Sequence, residues 1–271
     1  MTNNFKTILE QEKDKKLILT PRINEYVMSH AGSLYSEAAL ERVWHEMVKP
    51  DRERSGSFSA SSAGQCLRRQ ELAFLGKPQA PIFPALRETF ESGHWYHRRW
   101  QALLLSAGLI EEIEVPLFWP KYTSKGSADG RGFIHWETAD PKYQGREFIL
   151  EIKSVGAFAW NKKAEEGPSE EHIMQMHRYM LVSGIHLCIY VIIDKGNTSG
   201  LGWKEFIIEA DPARLKKSED ELIELNKALE QKKLHPLLTQ CKLGQGSTYA
   251  QCPFTGSEKN GGVCKSTKEW G

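Results

Sequence analysis

The chain has 271 residues, enough for one sizeable core and too few for a comfortable second domain. Hydrophobic residues make up 40% and charged residues 26%, a balance that excludes a disordered or fibrous chain and suits a globular one. Lys+Arg 36 against Asp+Glu 35 gives a formal net charge of +1, which excludes a partner selected by bulk charge. Binding to a polyanion would need a local basic stripe, and the candidates are Arg52, Arg54, Arg68, Arg69, Arg98 and Arg99. The alternative places each of these on a solvated helix face.

No apolar run approaches the ~20 residues that span a bilayer, and the opening MTNNFKTILEQEKDKK lacks the apolar core of a signal peptide. The expectation is a cytoplasmic protein without a membrane segment. Cysteines numbering 5 in a reducing compartment argue against a disulfide framework. They point to metal or cluster chemistry, or to no special role.

In chain order, residues 1–56 read as an N-terminal helical extension. Thr20-Pro21 reads as a cap with proline at the first helical position, and Leu40, Val43, Trp44 and Met47 as an apolar stripe. Ser59 is expected to cap a helix running through Cys66 and Leu72 to a stop at Gly76-Lys77-Pro78. A long helix follows from Pro84 to Ser106, closed by Gly108, with Leu86, Phe90, Gly93, His97 and Leu104 on its buried face. Strands are expected from Ile110 to Trp119, Ser127 to Trp136, Glu147 to Val155, Leu187 to Asp194 and Trp203 to Ala210. The glycines of Lys125-Gly126-Ser127-Ala128-Asp129-Gly130 suggest a tight turn. Helices are expected from Phe158 to Glu166, Ser169 to Val182 and Pro212 to Lys233, ahead of an irregular cysteine-bearing tail. Residues 57–271 thus read as an α/β core.

Within Phe148-Ile149-Leu150-Glu151-Ile152-Lys153, the strand period of two places Glu151 and Lys153 on one face. Ile152 then points into the core, leaving its carbonyl as a further oxygen ligand. A buried strand carries such charges only if they pair or bind metal. Carboxylate and carbonyl oxygens suit a hard cation, Mg²⁺ or Mn²⁺. The same spacing at Glu230-Gln231-Lys232 lies on a charged helix, so the apolar context is the signal and the spacing is not. A structural Glu–Lys pair at a strand end is the alternative. Antiparallel pairing of the second and third strands would bring Asp129 near Glu151; alternatively it is a turn aspartate bonded to its own backbone. His97 points inward, either as a ligand or as a core histidine. Gln175 and Tyr179 stack four apart on one helical face. A copy of that spacing, Gln245 to Tyr249, lies in the tail, and His172 shares the Gln175 face without an assigned role.

Taken in order, Gly93-x-x-x-His97 on a helix, Asp129 beside glycines, Glu151-x-Lys153 on a strand and Gln175-x-x-x-Tyr179 on a helix resemble the signatures of the RecB-like branch of the PD-(D/E)XK nucleases. That branch includes the CRISPR-associated iron–sulfur exonuclease (Cas family four), the AddB nuclease domain and phage exonucleases. The resemblance covers Ser59 to Cys264. It implies a restriction-endonuclease-like α/β core, with a mixed sheet flanked by helices. It implies a metal-dependent deoxyribonuclease in which His97, Asp129, Glu151 and the Ile152 carbonyl hold Mg²⁺ or Mn²⁺. Lys153 would orient or activate the attacking water, and Gln175 and Tyr179 would support it and position the phosphate backbone. The implied substrate is DNA with single-stranded or free ends, in phage recombination, repair or CRISPR adaptation, with partners from those processes. Two rivals are a structure- or site-specific endonuclease with the same site, and a non-catalytic DNA-end-binding module.

Cys66 ahead of the core and Cys241, Cys252 and Cys264 after it match the family's arrangement for a [4Fe–4S] cluster, which needs four thiolates. Such a cluster would staple the tail to the start of the core. The tail spacings depart from the family's tight C-x-x-C, which leaves a zinc site, an incomplete cluster or plain thiols open. Cys188, inside an apolar strand, reads as a small buried hydrophobe.

Overall fold

The computed structural model describes residues 17–30, 32–49, 55–138, 140–197, 202–244, 252–255, 263–267 and 270. Arg52, Arg54 and the Gln245 to Tyr249 pair lie outside the described residues. Helices α1 (Thr20–Ser29) and α2 (Glu37–Met47) lead to a short strand β1 (Phe58–Ser59), helix α3 (Leu67–Phe74) and the long α4 (Pro84–Ser106). Strands β2 (Glu112–Trp119), β3 (Ser124–Phe133) and β4 (Glu147–Val155) follow, then α5 (Ala157–Glu166) and α6 (Glu170–Ser183). Strands β5 (Leu187–Asp194) and β6 (Trp203–Glu209), then α7 (Pro212–Gln231) and α8 (Thr239–Leu243), complete the elements.

The strands form one mixed sheet, β1-β3-β4-β5-β6, with β2 on the other edge of β3. β4 and β5 are parallel neighbours, joined by the crossover through α5 and α6. Their apolar runs are continuous because both faces are covered. Leu150, Ile152, Ile189 and Val191 meet Trp100, Leu103 and Leu104 of α4 and Ile23 of α1. Ile149, Tyr190 and Ile192 meet Met176, Tyr179 and Met180 of α6 on the opposite face.

β3 decides where the sheet opens. β2 runs antiparallel along one edge of it, from Glu112↔Arg131 to Trp119↔Ser124. The other edge takes β1 at Ser124 and Lys125, and β4 only from Gly130↔Leu150 onward. Between those pairings the strand separates from β4, and Asp129 sits at the fork.

Several expectations are corrected. The stretch from Lys125 to Gly130 lies inside β3 and is no turn. Its glycines, and Gly132 just beyond it, serve close approach: a Cβ on Gly126 would stand 2.6 Å from the Ala60 Cβ, and one on Gly132 2.7 Å from the Leu109 carbonyl oxygen. The helix expected from Ser59 is broken. Phe58 and Ser59 pair with β3, Gly64 takes φ +75°, and α3 starts only after Cys66. Thr20 is itself helical and Leu19 holds the cap position without a side-chain cap bond. Leu86 and Phe90 are exposed, as are Leu40, Trp44 and Met47, because α2 and the first half of α4 bury little beyond Ala39 and Val43. Arg68 belongs to no basic stripe. It is buried, donating to the carbonyls of Cys264, His235 and Thr267. Arg98 is half-buried and pairs with Glu114, and Arg99 donates to the Tyr35 hydroxyl. No described helix is long and apolar enough to cross a membrane.

Candidate active site

The fork between β3 and β4 collects the charged groups. Glu151 stands on β4 opposite Tyr190 of β5, on the face turned toward α6. It is fully buried. One oxygen, Oε1, pairs with the Lys153 ammonium and accepts from Gln175 Nε2 at 2.9 Å. The other, Oε2, is buried and has no hydrogen-bond partner among the described residues. Gln175 also donates to the Tyr179 hydroxyl at 2.5 Å, so the pair spaced four apart on α6 acts as a clamp on Glu151.

Asp129 continues past the end of the β3–β4 ladder and its Oδ2 accepts from the Ile152 amide at 2.6 Å. The Ile152 side chain is packed in the core, so this residue meets the fork through its backbone. From α4, His97 brings Nε2 to 2.7 Å from the same Oδ2, without the alignment of a hydrogen bond. An imidazole nitrogen and a carboxylate oxygen this close form an ion pair when His97 is protonated, and are two donors for one cation when it is neutral.

The charges tune one another. Burial lifts the Glu151 carboxyl well above the usual carboxylate range, and the nearby Asp129 adds to it, with Lys153 opposing. For Asp129, burial pushes upward but His97, Lys153 and the Ile152 amide outweigh it and hold the group low. His97 is raised: burial works against its charge, yet Asp129 and Glu151 prevail. Lys153 is also raised, because Glu151 and Asp129 overcome the cost of burial. Burial, with Lys153 and Lys163, pushes His172 down to about 4, and its Nδ1 lies 3.0 Å from the Tyr190 hydroxyl.

No protein-family model and no curated sequence matches the chain. Its fold does have a solved counterpart. The alkaline exonuclease LHK-Exo of Laribacter hongkongensis, in its complex with dAMP, aligns with 66% of this chain and 90% of its own. The identity is 19% and the TM-score 0.50, which shows the shared α/β nuclease fold. A phage-related exonuclease from Haemophilus somnus 129PT aligns with 65% of this chain and 94% of its own, at 13% identity and a TM-score of 0.38.

The sequence reading brought together His97, Asp129, Glu151, Lys153, Gln175 and Tyr179, and these do meet at the fork. It missed Glu114. A carboxylate oxygen of Glu114, a ring nitrogen of His97 and a carboxylate oxygen of Asp129 all lie within 4.8 Å of one another. Glu114 takes φ +48°, a conformation costly for a residue with a Cβ, and the β2–β3 register skips it opposite Asp129. Its carboxylate accepts from Arg98, Gln101 and Ser127, while Gln101 also donates to the Asp129 carbonyl at 2.8 Å. Its sequence signal was only the polar half of a strand alternation, Glu112-Ile113-Glu114-Val115, which reads as a solvent face.

Away from the fork, the four flanking cysteines share a second neighbourhood. Cys241 is raised by burial and then by Cys66 and Cys252; Cys264 is raised by burial, with Arg68 opposing and Cys252 and Cys66 adding. Burial likewise raises Cys252, with Arg69 nearby and Cys66 facing it. Cys188 lies apart, fully buried among the β5 and α6 side chains.

Proposed function

We propose that the chain is a metal-dependent deoxyribonuclease that hydrolyses phosphodiester bonds from single-stranded ends. The observation that carries the reading is the convergence of His97 Nε2, Asp129 Oδ2 and Glu114 at the fork, with the buried Glu151 carboxylate coupled electrostatically to Asp129, His97 and Lys153. The fold shared with an alkaline exonuclease supports it.

His97, Asp129 and Glu151 would hold Mg²⁺ or Mn²⁺, with the Ile152 carbonyl as a further oxygen. The oxygen-rich donor set fits both ions, and the imidazole favours Mn²⁺. A bound cation supplies Lewis acidity toward phosphate and water. Lys153, held above its ordinary pKa, stays an ammonium at neutral pH. It therefore donates hydrogen bonds to the attacking water and to developing negative charge, and does not act as the base. Gln175 and Tyr179 keep Glu151 Oε1 engaged, so that Oε2 is the oxygen left for the cation.

We also infer that Cys66, Cys241, Cys252 and Cys264 bind a metal cluster of the [4Fe–4S] type. Their shared neighbourhood supports this; burial holds Cys241, Cys252 and Cys264 above the usual thiol range, so the thiolates would form as metal binds and displaces their protons.

End-labelled linear DNA and covalently closed circles, each with and without Mn²⁺, test the nuclease reading. Linear DNA should be degraded only with metal, and Lys153→Ala should lower the rate at least about 100-fold while the fold persists. Cutting of closed circles would replace the exonuclease with an endonuclease. Near-normal cleavage by folded Lys153→Ala would overturn the site.

A further inference from the structure

The helix that carries His97 leaves the body of the molecule at its N-terminal end. Residues 81–90 are all exposed, whereas Trp100 to Leu104 are buried, so the first turns of α4 stand clear of the core. A helix turns about 100° per residue, which sets Phe83, Leu86, Phe90 and Gly93 within roughly 40° of His97 around the axis. This is the face that meets the site's own strand: a Cβ on Gly93 would lie 3.6 Å from Ser154 Oγ on β4. Beyond that crossing the face runs outward as an apolar ridge, with Phe90 46%, Leu86 45% and Phe83 74% exposed. Phe90 stands seven residues, roughly 10 Å along the axis, from His97. Apolar surface of this kind, unpacked and contiguous, marks a binding surface.

The path of the ridge selects the occupant, since it runs along the helix face that ends at His97. Arg87 flanks it at roughly 80° from His97, Glu91 lies on the same side at roughly 120°, and Glu88 lies on the rear at roughly 180°. The start of α5 lies near the same helix: Tyr96 of α4 donates to the Lys195 carbonyl at 3.0 Å, and a Cβ on the adjacent Gly196 would meet Ala157. Phe158, in the first turn of α5 and five residues after Lys153, is fully exposed.

We propose that Phe90, Leu86 and Phe83, with Phe158, form a stacking platform for the bases of a single DNA strand running to His97, an inference that rests on the nuclease reading above. Aromatic faces accept any base, so the platform grips a strand without reading its sequence. Arg87 at its side is placed to meet a phosphate, and Glu88 is turned to the rear.

The test uses the full chain in EDTA, where hydrolysis is stopped, and fluorescence anisotropy with a labelled oligodeoxynucleotide and an abasic strand of equal length. Phe90→Ala and Phe158→Ala should each weaken binding of the base-bearing strand about 5- to 100-fold, the range that loss of one stacked base gives. Binding of the abasic strand should not change. Wild-type affinity of both variants for the base-bearing strand would overturn the platform and leave the ridge to a protein partner. An equal loss on both strands would overturn it as well, since the bases would not be what is held. Mn²⁺-dependent hydrolysis of a base-free diester, bis(p-nitrophenyl) phosphate, by the wild-type chain checks the nuclease reading separately. A chain that cleaves this diester while its Phe variants bind bases normally has lost only the platform.

Discussion

Gln175 and Tyr179 reach the fork only through Glu151. Gln175 holds Glu151 Oε1 and Tyr179 holds Gln175, so neither would touch the phosphate if the clamp is all they supply. Gln175→Ala and Tyr179→Ala should therefore lower turnover about 10- to 100-fold, as groups that orient a ligand do, and should weaken Mn²⁺ binding in parallel. Steady-state rates across a Mn²⁺ titration check this; full activity in both variants would make the spacing of this pair as accidental as its copy in the tail. At this scale Glu151 and Lys153 were legible, because two charges inside an apolar run demand a reason. Glu114 was not, since a carboxylate in an alternating strand looks solvated until a helix is laid over it.

Among the helices, α1 shows how an element can depend on a distant residue. Glu205 of β6 is buried and accepts from the amides of Ile18 at 2.7 Å, Leu19 at 3.0 Å and Thr20 at 2.8 Å, and from the Thr20 hydroxyl at 2.9 Å. It supplies from outside the cap that the helix's own sequence lacks. Glu205→Ala should leave those buried donors unpaired and cost about 3 kcal/mol, read as a lower urea midpoint. Burial lifts the Glu205 carboxyl above its ordinary value, and the three amides only partly offset this. The folded chain therefore holds that proton more tightly than the unfolded one. Its stabilising contribution is full below the unfolded pKa and declines as pH rises through the raised folded value. Measured against Glu205→Gln, which does not titrate, the wild type should lose relative stability across that interval. A stability difference that rises with pH would show that the amides outweigh burial at this carboxyl, and one independent of pH that the two cancel.

For the molecule as a whole, the described part of the tail is held by contacts with the start of the core. Arg68 gathers three carbonyls from two separate segments, and Leu72, Leu234, Phe254 and Cys264 pack together beside it. Joining Cys66 to Cys241, Cys252 and Cys264 closes a very long loop, and metal bound across such a loop becomes folding free energy. Protein purified without oxygen should be brown, with about four iron and four sulfide per chain. Alanine at any of the four should remove the colour and lower the melting temperature, while Cys188→Ala should keep the colour. One zinc in colourless protein would replace the cluster with a zinc staple; neither metal would leave the tail to Arg68 and its apolar contacts.

Periodicity and apolar runs by themselves determined most elements of this chain, the long helix from Pro84 to Ser106 among them, together with the order of the charged residues that meet at the fork. Both are local signals, set by the 3.6- and 2-residue repeats of the backbone. Tertiary structure alone decided which faces were covered. Leu86 and Phe90 follow the helical repeat as faithfully as Leu103 and Leu104, yet they stay exposed where those are buried. It alone decided that the glycines near Asp129 serve contact and not a turn, because the need arises from Ala60 and Leu109, distant in the chain. The site itself is a long-range product: β3 parts from β4 because β1 and β4 divide one edge of it, and that opening is what Asp129, Glu151 and His97 converge upon.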